Sequence, residues 1–264
     1  MLHDLDMITH SYPSTIDVYP VADVHLGAVE HAETEWQRFL QKVEQDNAYL
    51  ILAGDLINNA TRGTKFSNPF EETIRPREAK DRMTEYLKPI ADSGRLLCIV
   101  SGNHEQRTAR ESDQDITYDI CARLRVEHLY RENVAHMCVS VGTRNCENKA
   151  QATYNFVVEH GSGGGLQTGS AVNRAEAAAA RYSNLDCYVS GHVHKGFVTK
   201  PANIVIDSRN KKVWNKVCVV VSCVPWMYYG GYAARARLKP AAVCDPQRLR
   251  LLADKNHKQI ITEW

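Results

Sequence analysis

The feature that most constrains this chain is a series of short apolar runs, each closed by polar residues able to bind metal. Ser14 to Val21 leads into Asp23-Val24-His25, and Ala48 to Ala53 into Gly54-Asp55. Leu96 to Val100 leads into Gly102-Asn103-His104-Glu105, Tyr154 to Glu159 into His160-Gly161, and Cys187 to Ser190 into Gly191-His192-Val193-His194. Apolar runs of this length, bounded by turn residues, read as buried strands. Helical patterns separate the first three. Glu33 to Val43 places Trp36, Phe39, Leu40 and Val43 on one face, Pro76 to Leu87 opens on proline, and Asp115 to Leu124 follows the third run. Strand and helix in alternation over the first 125 residues argue a parallel sheet with helices packed on it.

The second half is richer in strands. Ala135 to Val141, Phe197 to Ile206 and Val213 to Val221 join the two runs above, and Val172 to Tyr182 is its one clear helix. Gly161 to Gly165 reads as a loop directly after a strand. A length of 264 residues fits one large domain or two small ones, and no repeat or linker divides it. We therefore expect a single domain over 1–264, with the motifs in 23–194 and a basic, strand-rich part in 195–264.

In open α/β sheets, ligands bind beyond the carboxyl ends of the strands. Five loops would thus bring their side chains to one edge. Asp, Asn and His supply the oxygen and imidazole ligands that suit Mn, Fe, Zn or Ni. In Asp23-x-His25 and His192-x-His194, extended backbone would put both side chains on one face. A carboxylate can bridge two metals, and Asp55 is the natural candidate. His3, His10, His31, His128, His136 and His257 lack this context and read as surface or core.

The series Asp-x-His, Gly-Asp, Gly-Asn-His-Glu, His-Gly and Gly-His-x-His resembles the calcineurin-like metallophosphoesterase family. The resemblance implies a four-layer α-β-β-α sandwich, two mixed sheets face to face with helices outside. It implies two divalent metal ions, with Mn favoured among Mn, Fe, Zn and Ni. Asp23, His25, Asp55 and His194 would hold the first, and Asp55, Asn103, His160 and His192 the second. His104 would be catalytic, beside the leaving group, with in-line attack by a hydroxide bridging the metals. Glu105 would orient His104 or be solvated. Many members carry His-Gly-His at the fourth motif, where this chain has His160-Gly161-Ser162.

Asp23-Val24-His25-Leu26-Gly27 is similar to the first motif of the double-strand-break repair nucleases of that family, and also to that of UDP-diacylglucosamine hydrolases. The whole is similar to phage and prophage members. The expected activity is a phosphodiesterase acting on nucleic acid or nucleotides. A phosphomonoesterase or nucleotide hydrolase on a small substrate stays open, as does a non-catalytic scaffold for a protein partner.

Charge bears on the substrate. Residues 195–264 hold 13 Lys+Arg against 4 Asp+Glu, whereas residues 1–194 hold 19 against 27. A basic C-terminal quarter either binds a polyanion such as DNA or RNA or docks on the acidic body. Trp226-Met227-Tyr228-Tyr229-Gly230-Gly231-Tyr232, with Arg235, Arg237 and Lys239 after it, would stack bases and hold phosphates or pack the sheet edge. The stretch Asn58 to Arg77, with Arg62, Lys65, Arg75 and Arg77, would cap the site.

Composition excludes other classes. With 44% hydrophobic and 24% charged residues, extended disorder and collagen-like structure are out. No apolar run approaches the roughly 18 residues of a membrane span. The N-terminus, Met1 to Asp6, is acidic where a secretory leader would be basic and then apolar, and none of the eight cysteines forms a Cys-x-x-Cys pair. A cytoplasmic protein without membrane contact is expected.

Overall fold

The computed structural model describes residues 5–61, 69–143, 151–164, 167–235, 237, 239–254 and 258–264. Arg62, Lys65, His3, His257, Gly165 and the Tyr232 side chain, all named above, lie outside the described residues.

Two six-stranded mixed sheets form the body. One runs in the order β14 (Ile260–Glu263), β13 (Arg248–Leu251), β2 (Ile16–Val21), β3 (Tyr49–Ala53), β4 (Leu96–Val100) and β5 (Tyr130–Arg131). Strands β2 to β5 are parallel, as the alternation predicts, and β13 and β14 add antiparallel strands at the β2 edge. The other runs β1 (Met7–Tyr12), β6 (Val134–Val141), β7 (Ala152–Glu159), β8 (Cys187–Ser190), β12 (Val219–Ser222) and β9 (Phe197–Thr199).

Burial shows the layers. Tyr154, Phe156 and Val158 of β7 join the main core, while Val157 between them joins a second cluster. Cys187 and Val189 of β8 face the main core and Tyr188 faces the second. This period of two is that of a sheet buried on both faces. The second cluster is completed by Ala171, Ala175 and Ala179 of α5 (Thr168–Ala179). The main core also holds Trp36, Phe39, Leu40 and Val43 of α1 (Glu33–Gln45), Met83, Leu87 and Ile90 of α2 (Pro76–Asp92), and Ile120 and Leu124 of α4 (Ile116–Leu124). Helices thus flank two large mixed sheets, the expected four-layer arrangement. Among the described residues no helix is long and apolar enough to cross a membrane.

Two expected strands divide. Phe197 to Ile206 breaks after Thr199, because Pro201 has no N–H to continue a ladder. Val213 to Val221 breaks at Cys218. Between the breaks, β10 (Ala202–Asp207) and β11 (Lys212–Val217) pair as a separate antiparallel hairpin, with a turn closed by Asp207 accepting from the Asn210 N–H at 3.0 Å. Helix α3 (Glu105–Ser112) was not expected. Its mean composition is polar, and only Glu105 in it is buried, so no apolar stripe marks it.

Candidate metal centre

The parallel ladder of β2 and β3 continues past both strands. The Asp23 N–H donates to Gly54 O at 3.1 Å, His25 N–H to Asp55 O at 3.0 Å and Leu26 N–H to Leu56 O at 3.0 Å. The first two motifs are therefore zipped together. The fifth is fixed to the first by the His192 N–H, which donates to the Asp23 carboxylate at 2.9 Å, and the fourth by the Gly191 N–H to His160 O at 3.0 Å.

All seven candidate ligands meet at this edge. His25 Nε2 lies 3.8 Å from both Asp23 Oδ1 and Asp55 Oδ2, and His194 Nε2 lies 3.5 Å from Asp23 Oδ1. Asp55 Oδ2 is 3.1 Å from His160 Nε2, and Asn103 Oδ1 is 3.0 Å from His160 Nε2 and 2.8 Å from His192 Nδ1. Three groups of possible ligands result: Asp23, His25 and His194; Asp55, His160 and His192; and His25, Asp55 and His104. Asp55 and His25 each belong to two of them, and Asp55 Oδ2 faces both His25 and His160.

The route by which the side chains converge differs from the expected one. Asp23, His25, Asp55, His192 and His194 all have positive φ, from 49° to 69°. Tight left-handed turns, not extended backbone, aim the Asp-x-His and His-x-His pairs. Such conformations cost about 1–3 kcal/mol each and persist where the surroundings over-determine them. Gly102 supplies the close approach, since a Cβ there would stand 2.1 Å from both Asp55 N and Asp55 Oδ1.

The donor set fits divalent cations. Asp23 and Asp55 are buried, and among the described residues no Lys or Arg pairs with either; the titratable side chains facing them are imidazoles. His25 Nε2 and His194 Nε2 stand 3.1 Å apart, so at most one of these facing nitrogens can carry a proton there. His25 Nδ1 is buried without a hydrogen-bond partner. His160 is oriented for ligation, with Nδ1–H donating to Ala53 O at 2.8 Å and Nε2 turned to Asp55. Burial disfavours the His160 cation, but Asp55, Asp23 and the Ala53 carbonyl together outweigh burial and raise its pKa to about 10. A divalent ion held by these residues would supply the positive charge that this proton otherwise provides.

His104 stands at the rim. Its Nδ1–H donates to Asn58 O at 2.7 Å, its backbone N–H donates to Asp55 Oδ1 at 2.9 Å, and Nε2 is 3.7 Å from Asp55 Oδ2. Burial pulls its pKa to about 4 against the opposing pull of Asp55. Glu105 is neither solvated nor bound to the His104 ring, unlike both expectations. It is buried, and its carboxylate accepts from the N–H groups of Asp55 (3.1 Å), Ile57 (3.0 Å) and Gly102 (3.0 Å). Burial, then Asp55, raises its pKa to about 7. Asn59, also missed, donates to His104 O at 2.7 Å. Its only signal is position after the second motif.

Two cavities flank the cluster. One of about 440 Å³ is lined by His25, Asp55, His104, Arg107, Tyr228 and Tyr229 among others. The other, of about 540 Å³, runs beneath α5 past His160, Ser162, Arg174 and Tyr188. Asn103 and Val193 line both. The aromatic segment divides between its two readings. Trp226 is fully buried, its ring centroid 5.1 Å from Trp36 and 4.8 Å from Phe39, whereas Tyr228 and Tyr229 are half exposed in the cavity wall. Of the Asn58 to Arg77 stretch, Asn58 and Glu71 line the cavity, while Arg75 and Arg77 begin α2.

The calcineurin-like phosphoesterase family matches residues 17–196. The chain belongs to that family, and with its fold and its His/Asp clusters this supports metal-dependent phosphoester hydrolysis at a binuclear divalent-metal site. Solved structures to which the chain is similar include Yfce, a phosphoesterase from E. coli (14% identity, 94% of this chain and 98% of that one, TM-score 0.41). A dimetal phosphatase from Danio rerio (11%, 94% and 98%, 0.41) and the calcineurin-like phosphoesterase YfkN from Bacillus subtilis (14%, 95% and 90%, 0.38) are others. No curated protein sequence matches the chain.

Proposed function

We propose that the protein hydrolyses phosphodiesters of nucleotide size, with Asp23, His25, Asp55 and His194 holding one divalent ion and Asp55, Asn103, His160 and His192 the other. The observation that carries the diester reading is the pair of cavities meeting at Asn103 and Val193, beside the cluster. A monoester has one substituent to house; a diester has two. Half-exposed Tyr228 and Tyr229 in one cavity wall favour a flat ring on that side.

Divalent ions, when bound, supply Lewis-acid polarisation of the phosphoryl group and a water of lowered pKa. The chain supplies the rest. The Asn58 carbonyl fixes the His104 tautomer, leaving Nε2 to meet the leaving oxygen. An anionic substrate beside His104 favours its cation and opposes the effect of burial. Glu105 holds the Asp55 and Gly102 loops at their spacing.

A substrate panel with Mn²⁺ tests the reading: bis-p-nitrophenyl phosphate, p-nitrophenyl phosphate, a dinucleotide and single- and double-stranded DNA. The expected order is bis-p-nitrophenyl phosphate and dinucleotide well above the monoester and polymeric DNA. Preference for the monoester would favour the small phosphomonoesterase, and no turnover with any metal the scaffold.

A further inference from the structure

Arg107 is the third residue of α3, so its cation stands in the first turn of a helix, against the helix macrodipole. It is partly buried in the cavity wall beside Asp55 and His104. Burial lowers its pKa, while Asp55, Glu105, Glu72 and Glu111 pull the other way. That attraction acts at a distance, for among the described residues no carboxylate oxygen lies within 4.0 Å of the guanidinium. Its hydrogen bond is to Asn58 O at 3.2 Å, the same oxygen that accepts from His104 Nδ1. The guanidinium and the His104 ring are thus held around one atom at the mouth of the metal cluster.

Each of these features costs stability: a desolvated charge, an unfavourable helix position and a fork of donors with one neutral acceptor. Arg235, the other arginine in the lining of this cavity among the described residues, contrasts with it. Arg235 already has a carboxylate partner, Glu71, at 2.8 Å.

We propose that Arg107 is a substrate-binding residue that grips a non-bridging phosphoryl oxygen of the phosphoester at the metal cluster. The inference rests on phosphoester hydrolysis at this site, as proposed above, but not on the preference for diesters. A planar guanidinium presents paired donors suited to a phosphate edge, which lysine cannot reproduce.

The test compares Mn²⁺-loaded wild type with Arg107→Met and Arg107→Lys. Three quantities are read: metal content by elemental analysis, inorganic phosphate affinity by calorimetry, and steady-state kinetics on bis-p-nitrophenyl phosphate and p-nitrophenyl phosphate. Arg107→Met should keep the wild-type metal content and bind phosphate about 10- to 100-fold more weakly, as loss of a charge-assisted hydrogen bond predicts. KM should rise on whichever ester the wild type turns over. Arg107→Lys should lie between the two, and it carries the test should the methionine variant fold poorly. Unchanged phosphate affinity and KM with a lower kcat would overturn the proposal, assigning Arg107 to holding Asn58 and His104. A wild type that prefers monoesters yet needs Arg107 for phosphate would refute the diester reading and leave this one standing.

Discussion

Glu105 lies under Asp55: its Oε2 accepts the Asp55 N–H at 3.1 Å and the Gly102 N–H at 3.0 Å, while Oε1 accepts the Ile57 N–H at 3.0 Å. One buried carboxylate thus ties the turn after β3 to the turn after β4. Truncation in Glu105→Ala would leave three backbone donors without a partner. At about 1–3 kcal/mol for each unsatisfied buried group, partly relieved by entering water, the variant should lose about 3 kcal/mol or more. Glu105→Gln should be milder but still destabilised, because either amide orientation sets an NH₂ against a backbone N–H. Denaturant unfolding checks the order, wild type above Gln above Ala.

Asp55 Oδ2 lies 3.8 Å from His25 Nε2 of one proposed ligand set and 3.1 Å from His160 Nε2 of the other. Asp55→Ala should therefore lose both metal ions and not one, with activity lost alongside. Elemental analysis of the purified variant decides, and full metal content would remove Asp55 from its bridging role. Chelation of the wild type should abolish turnover, and Mn²⁺ should restore it.

His104 has two readings in the geometry, since it also forms a possible ligand group with His25 and Asp55. The binding of its Nδ1–H to Asn58 O and its place on the cavity rim favour proton transfer or charge stabilisation. His104→Ala should keep its metal and lose about 10²–10⁴-fold in turnover, the usual range for a general acid or base. The loss should be smaller for p-nitrophenyl esters than for alkyl esters, whose leaving groups need protonation. Equal losses on both would count against the role beside the leaving group.

What could be read from the chain was what depends on local pattern. Continuous apolar runs such as Leu96 to Val100 mark strands buried on both faces, and the residues after them come to one edge because parallel strands share a direction. Glu105 and Arg107 escaped that reading because each acts through something with no sequence signal. Glu105 binds backbone N–H groups from a loop 50 residues away, and Arg107 stands out only by the carboxylate it lacks. The strands of hairpin β10–β11 were legible, but their separation from the sheet was not. The hairpin's apolar residues Ile204, Ile206 and Val213 are exposed, so the pattern of a buried strand misled.

Gly102 sets the distance between the second and third motifs. Gly102→Ala would put a methyl group 2.1 Å from Asp55 N and Oδ1, a contact that no rotation relieves. The turns must then separate, pulling Asn103 from Asp55. The variant should bind metal more weakly than wild type even where its unfolding midpoint falls by only a few degrees. Metal titration followed by calorimetry measures this, and wild-type affinity would show that the loops tolerate the shift.

Some cations of the basic C-terminal quarter are paired with carboxylates of the body. Arg250 forks onto the Asp17 carboxylate at 2.8 and 2.9 Å, Lys258 and Lys216 reach Asp186 at 2.7 and 3.5 Å, and Arg235 reaches Glu71 at 2.8 Å. Asp17, Glu71 and Asp186 all belong to the acidic part of the chain. For these cations, docking on the body describes the segment better than a surface reserved for a polyanion. These paired cations should accordingly add little to any fall of DNA affinity with salt, since each phosphate contact with a single strand contributes a slope of about −0.7 and a cation held by Asp17, Glu71 or Asp186 makes none. Arg235→Ala should leave that slope unchanged and free Glu71 at the cavity mouth, weakening anionic substrates there. Fluorescence anisotropy with labelled single-stranded DNA across a salt series measures the slope. A steep slope that flattens in Arg235→Ala would show that the pair opens to bind phosphate, and polymeric nucleic acid would then replace the small diester as the substrate class.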